Sequence, residues 1–316
     1  MNDEVLLGIL GGVGPAAGLV LHQEVLRNTL NDGTDQGHLD VVHVSRSADM
    51  AARPAYLAQV AAGGPPVIEN PAFGMARSLS ILHNAAKARG ARLVVGVPCN
   101  TFHAPPIWDV FASLVPPEVK LIHMLEEAVA MIAAVAPHAT TIGVMSTTGS
   151  RRSRIFHNLL EPLGYTVVQV PDDIQDALND SIYNTEWGIK STSPAIHPRA
   201  VQNFEAYAKL LAQMGAQVAI LGCTEIPLAL TGSEIHGMLL VDPMVALARA
   251  LVRTAAPAKL VPLDIKLPPV SLGKPKRTLS IRSDSVDLTD ACEHSDDDSE
   301  SVITAEELDS FRFCFY

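Results

Sequence analysis

Short unbroken apolar runs alternate along the chain with stretches of helical spacing, and that alternation predicts the elements. The first run, Val5-Leu-Leu-Gly-Ile-Leu10, reads as a strand buried on both faces. It breaks into Gly11-Gly12-Val-Gly14-Pro15 and continues as Ala16-Ala-Gly-Leu-Val-Leu-His-Gln-Glu-Val-Leu26, whose spacing is helical. A second strand is expected from Leu39 to Val44, then a helix or loop from Arg53, a loop over Gly63 to Pro71, and a helix from Gly74. That helix leads into the apolar run that ends at Val97-Pro98-Cys99.

A second series is expected to begin at Val119-Lys-Leu-Ile-His123. It continues with a strand from Thr140 that meets the hydroxyl-rich turn Ser146-Thr147-Thr148-Gly149-Ser150, a strand after Gly164, and helices over 172–183 and 198–214. The apolar run Val218-Ala-Ile-Leu-Gly222 then stops at Cys223. The loop Trp187-Gly-Ile-Lys190-Ser-Thr-Ser-Pro194 is placed where it could close over a site. The two series mirror each other loosely, each supplying one polar turn and one cysteine. The fold class is therefore α/β, in two related open halves with largely parallel sheets. The expected domains are 1–115, completed by 225–261, and 116–224. Residues 262–316 form a Pro/Lys- and then Ser/Asp-rich acidic tail expected to be disordered, with a short capped helix near Thr304 and a terminal aromatic docking segment.

Composition narrows the class. The 316 residues are 48% hydrophobic, ample for buried cores, and the net charge of −11 owes much to the tail. No basic stripe is present, so nucleic-acid binding is not expected. No apolar run reaches the length of a membrane span, and no targeting leader is expected. The four cysteines have no short regular spacing, which predicts free thiols in a cytoplasmic setting.

The chemistry is expected at Cys99 and Cys223, 124 positions apart, because both end strands where ligands bind in parallel sheets. The glycine turn could offer backbone N–H groups of Gly12 and Gly14 to an anion at the following helix terminus. Gly12-x-Gly14-x-x-Ala17 also approximates a dinucleotide fingerprint, but a long spacing to the next strand and the need for a tight turn argue against nicotinamide. Arg46 and Arg53 are both candidates for a carboxylate clamp. Cys99 with His103 is too small a set for a metal site. Acid–base chemistry on a carbon acid, with one thiol on each side, uses both cysteines. Cys223 is expected to be the base, since Gly222 permits close backbone approach and Thr224-Glu225 can polarise its surroundings.

Gly11-Gly-Val-Gly-Pro15, Pro98-Cys99-Asn100-Thr101-x-His103 and Leu221-Gly-Cys223-Thr224-Glu225-Ile-Pro-Leu228 together resemble the aspartate/glutamate racemase superfamily, over roughly residues 5–258. The resemblance implies two pseudo-symmetric α/β domains with the site in the cleft between them, no cofactor, Cys99 and Cys223 as paired acid and base, and a small carboxylate substrate held by Asn100, Thr101 and Thr224. Thr147 stands in the matching turn of the other half, His103 and Glu225 stand as outer neighbours of the thiols, and a homo-oligomer is implied. The segment Ser45-Arg-Ser-Ala-Asp49-Met-Ala-Ala-Arg53 departs from the amino-acid racemases: it keeps an arginine without the preceding acid. With Asp35-Gln-Gly-His38 and the acidic tail, the wording is closer to the algal dimethylsulfoniopropionate lyases of the superfamily. The first expectation is therefore a lyase that releases dimethyl sulfide and acrylate after removal of the α-proton. An amino-acid racemase using the same thiols is the alternative, and a non-catalytic carboxylate-binding protein is a third.

Overall fold

Most apolar runs end at glycine, proline or a hydroxyl residue, and the computed structural model, which describes residues 4–263, turns that punctuation into strands of two to six residues, most of them joined by helices. In the first half β1 (Val5–Leu10), α1 (Pro15–Arg27), β2 (Val41–Val44), α2 (Arg53–Ala62), α3 (Pro71–Arg89), β3 (Arg92–Gly96), α4 (Pro105–Leu114), β4 (Lys120–Ile122) and α5 (Met124–Val135) follow in order. The second half contains β5 (Thr141–Ser146), α6 (Thr148–Arg152), α7 (His157–Leu160), β6 (Thr166–Val168), α8 (Asp172–Tyr183), α9 (Ile189–Thr192), α10 (Pro198–Gln213) and β7 (Val218–Gly222). After it come α11 (Ile226–Ala229), a hairpin of β8 (Glu234–Ile235) and β9 (Met238–Val241), and α12 (Pro243–Ala255).

Two sheets result. The first has the order β2-β1-β3-β4 and the second β6-β5-β7-β9-β8, and every pairing is parallel except the β8–β9 hairpin. The strand order of the first sheet is thus repeated by the first four strands of the second. This is the pseudo-symmetric α/β architecture that the sequence predicts. Nearly every residue of β1, β3, β5 and β7 is buried, as strands covered by helices on both faces must be.

Two expectations about organisation differ from the structure. β4, expected to open the second series, pairs with β3 and closes the first sheet, so the change of sheet falls after it rather than near residue 115. A strand of three residues carries too little periodicity to say which neighbour it joins. The segment 225–261, expected to complete the first half, is divided: β8 and β9 extend the second sheet, while α12 returns to pack on α1, α5, β1 and β3. The chain then runs back along the end of α1, where Val261 N donates to Asn28 O and Leu30 N to Lys259 O. The tail, with Cys292 and Cys314, lies outside the described residues, as do the expected capped helix and docking segment. Among the described residues no helix is long and apolar enough to cross a membrane.

One close approach locks the first half together. Gly74 lies inside α3, where a Cβ would come within 2.1 Å of the backbone oxygen of Asp49. The Asp49 carboxylate is itself held by Arg77 and Arg46, so the carbonyl has little freedom to retreat. A Gly→Ala change in a helix interior ordinarily stabilises by about 1 kcal/mol. Gly74→Ala is expected to reverse that sign and lower stability by about 1–3 kcal/mol, as overpacking against an immobile group does, and denaturant titration measures it.

Candidate active site

β3 and β7 end at the same side of the molecule, and the two turns that follow them deliver the cysteines. Pro98 ends the first strand path, Cys99 is extended (φ −157°, ψ 112°), and a 3₁₀ turn carries Asn100, Thr101, Phe102 and His103. Cys223 follows Gly222, where an added Cβ would lie 2.8 Å from the carbonyl oxygen of Met145. Both thiols are buried and free, and both line one enclosed space of about 20 Å³. That is room for about one water molecule. Asn100, Thr101, Thr147, Thr224, Glu225, Arg53, Tyr183 and Lys190 share its wall. Beyond Arg53, Pro54, Tyr183, Lys190 and Glu225 the space widens into an outer cavity of about 520 Å³, lined also by Gly14, Pro15, Ala16, Ala52, Ala55 and Ser193.

The thiols are electrostatically unequal. Cys223 Sγ donates to Glu225 Oε2 at 3.1 Å, and Thr224 Oγ1 donates to the same oxygen at 2.8 Å. The other carboxylate oxygen of Glu225 accepts from Lys190 Nζ. Burial pushes the Cys223 thiol well up, and the Glu225 charge pushes it further, against the opposing pull of Lys190. Burial would raise the Glu225 carboxyl too, but the Lys190 ammonium and the hydrogen bonds from Lys190, Cys223 and Thr224 outweigh it and hold Glu225 ionised. Burial likewise pushes the Tyr183 phenol up to about 12, so it stays protonated, and Lys190 Nζ lies 5.7 Å from the centre of its ring. Cys223 is therefore a protonated thiol held on a carboxylate. Glu225, expected to polarise Cys223 as a base, here accepts its hydrogen bond and favours the protonated thiol.

No acidic side chain lines the cavity on the Cys99 side. Asn100, only 3% exposed, has neither its side-chain nitrogen nor its oxygen in a hydrogen bond, although it faces the enclosed space. A buried amide left without partners costs free energy, so a ligand with both donor and acceptor capacity is the natural occupant here. Thr101 Oγ1 lies 2.9 Å from Ser150 Oγ, which in turn accepts from Thr147 Oγ1 at 3.1 Å. This hydroxyl chain ties the turn after β3 to the turn after β5. His103 sits behind Cys99 and faces away from the cavity: its Nδ1 is 2.8 Å from the Cys99 carbonyl oxygen.

The polar turns of the first half divide unevenly. Arg53 begins α2, lines both cavities, donates from Nη2 to Val13 O at 2.8 Å, and has a buried Nε without a partner. Arg46, the other candidate clamp, is exposed and pairs with Asp49 at 2.9 Å, away from the cleft. Gly14 lies at the outer cavity, where a Cβ would stand 3.5 Å from Glu225 Oε1. Gly12 is not brought to either cavity. Its positive φ of 85° serves the turn, and an added Cβ would lie 2.9 Å from Arg46 N and 3.0 Å from Ser47 N, so the bare glycine lets the turn pack against the chain leaving β2.

Lys190 and Tyr183 were not among the expected site residues. Lys190 does stand in the loop expected to close over the site, which here contains the short helix α9, anchored by buried Ile189 and Trp187. Nothing local marks its ammonium for Glu225, 35 positions away.

Two largely parallel sheets in repeated order, with a buried thiol just after the third strand of each, define a pseudo-symmetric two-domain α/β protein. A family model, Asp/Glu/hydantoin racemase, matches residues 10–251, and the chain belongs to that family. Among solved structures it is similar to the aspartate racemase of Picrophilus torridus (20% identity, TM-score 0.61, covering 79% of this chain and 94% of that one). It is also similar to an aspartate racemase homologue from Pyrococcus horikoshii (18%, 0.56, 80% and 99%). A third is glutamate racemase from Francisella tularensis in complex with D-glutamate (15%, 0.54, 83% and 85%). At these identities the likeness shows the fold. The family match backs the racemase alternative better than the dimethylsulfoniopropionate lyase expected first.

The charge arrangement around Cys223 makes a signed prediction. Glu225→Gln removes the negative charge that raises the thiol and leaves the Lys190 ammonium beside it, so Cys223 ionises at lower pH. With Cys99→Ser as background, the pH midpoint of iodoacetamide alkylation at Cys223 is expected to fall by at least about one unit. An unchanged or higher midpoint contradicts the assignment of Glu225.

Proposed function

We propose that this protein is a cofactor-independent amino-acid racemase that inverts the carbon next to a carboxylate by passing protons between Cys99 and Cys223. The observation that carries this reading is the shared cavity: two buried thiols and an unpartnered Asn100 amide converge on one space. Asn100, with the hydroxyls of Thr101, Thr147 and Thr224, receives the α-carboxylate. Its negative charge grows as the α-proton leaves, so these donors are worth most in the transition state. In one direction the Cys99 thiolate takes the α-proton, the electron pair of the C–H bond moves into the carboxylate as an enediolate, and the Cys223 thiol returns a proton to the opposite face. The reverse direction exchanges the two roles.

Substrate charge follows from the walls. Arg53 and Lys190 are positive and Glu225 is the one acidic residue among those lining the two cavities, which supports a substrate with net negative charge such as an acidic amino acid. Arg53, with its free Nε, is placed to receive a second carboxylate from the outer cavity.

A second reading is favoured by the commitment of Glu225. Its carboxylate already holds Lys190, Thr224 and Cys223, so an α-ammonium finds no free acid. A substrate whose cation is a sulfonium needs no directional acceptor. Elimination from dimethylsulfoniopropionate would begin with the same proton transfer to Cys99. The C–S bond then breaks with its electron pair leaving on neutral dimethyl sulfide, the C–C double bond of acrylate forms, and the Cys223 proton stays in place.

Incubation with L-aspartate, L-glutamate and dimethylsulfoniopropionate in deuterated water separates the readings. The expected outcome is the D-amino acid with solvent deuterium at the α-carbon, lost by more than about a thousandfold in Cys99→Ala and in Cys223→Ala. Asn100→Ala is expected to lower kcat by about a hundredfold, the usual cost of one transition-state donor. Dimethyl sulfide without D-amino acid establishes the elimination instead, and neither product leaves a carboxylate-binding protein.

A further inference from the structure

We infer that His103 is a positioning residue that aims the Cys99 thiol by clamping its carbonyl from behind and anchoring it to the start of α5. The inference rests on the reading of Cys99 as a proton carrier. His103 is 3% exposed and each ring nitrogen has one partner. Nδ1 lies 2.8 Å from Cys99 O, and Nε2 accepts from Met124 N at 3.2 Å. A backbone N–H can only donate and a carbonyl can only accept, so the ring must be neutral with its proton on Nδ1. No other tautomer satisfies both arms.

The surroundings fix the ring as well. Trp108 of α4 stacks on it with centroids 4.4 Å apart, and His123 meets it edge-on at 4.6 Å. Burial, reinforced by His123, keeps the imidazole from taking a second proton. Cys99 O also accepts from Phe102 N at 3.2 Å, so this carbonyl is held by two donors, which restrains the peptide that follows the cysteine. At the far end Met124 N is the first donor of α5, a group that the helix itself cannot satisfy. His103 caps it, while the His123 side chain caps Glu126 N in the same helix. One side chain thus joins the thiol turn of β3 to a helix packed beneath it. Cys223 has no such clamp; its direction comes from Glu225.

Two substitutions divide the arms, because an asparagine amide nitrogen sits near the place of Nδ1 and a glutamine oxygen near that of Nε2. His103→Asn keeps the donor to Cys99 O and drops the α5 cap; His103→Gln keeps the cap and drops the clamp. His103→Gln is expected to lower kcat tenfold or more with KM within threefold, and to shift the pH midpoint for alkylation of Cys99, read with Cys223→Ser as background. His103→Asn is expected to keep kcat and that midpoint close to the parent while melting at lower temperature. Alkylation does not depend on turnover, so an altered midpoint in a protein without racemase or lyase activity would overturn the functional reading and leave the clamp intact. Equal loss in both variants, or parental kcat and midpoint in His103→Gln, overturns the clamp. Should either variant fail to fold, imidazole ¹⁵N shifts of the parent protein decide: a proton on Nδ1 is expected, and a proton on Nε2 excludes it.

Discussion

The Glu225 carboxylate is the group on which the chemistry of the cleft depends. It is buried, and a buried carboxylate remains charged only when paired and hydrogen-bonded. Lys190 supplies the charge, and Thr224 and Cys223 supply the donors. The pairing joins the 184–197 connection to the turn after β7, and both partners stand where the space between the thiols meets the outer cavity. It also makes the two cysteines different before any substrate arrives. One is a thiol on an anion, and the other stands among neutral hydrogen-bonding side chains.

The parallel sheets make such a meeting possible. In a parallel strand order every carboxyl-terminal turn of a sheet opens at the same edge, so turns far apart in sequence face a common space. The turns after β3, β5 and β7, together with the start of α2, all do so here. The hydroxyls of Thr147, Ser150 and Thr101 then stitch the two halves across the site, and α12 binds the chain after the second sheet to the core of the first. The positions of the thiols are therefore set by rigid elements, which is what proton transfer over short distances requires.

Inequality of the thiols bears on the reaction class. A racemase must run in both directions, and each thiol must serve as donor and acceptor in turn. At Cys223 the two charges of the Glu225–Lys190 pair act in opposite directions, Glu225 raising the thiol and Lys190 lowering it. An elimination asks less of Cys223, since only one proton moves and the leaving group carries the electron pair away.

Much of the fold was legible in the chain. Strands buried on both faces show as unbroken apolar runs, and the glycines, prolines and threonines that end them mark the turns, so β1, β2, β3, β5, β6 and β7, the repeated halves and the strand-end positions of Cys99 and Cys223 followed from local pattern, whereas the β8–β9 hairpin did not. Asn100, Thr101, Thr147, Thr224 and Arg53 also reach the cavity, carried there by the strands and helix they adjoin. Other features belong to the tertiary structure alone. The three residues of β4 could join either sheet until packing chose one, and Gly12 looked like an anion turn until β2 closed against it. Lys190 and Tyr183 reach the site through space, and the burial that with Glu225 raises the Cys223 thiol, against the pull of Lys190, is set there as well. The physical reason is that secondary structure is governed by backbone periods a few residues long, whereas the charge on a buried group is governed by whatever the fold brings within a few ångströms of it.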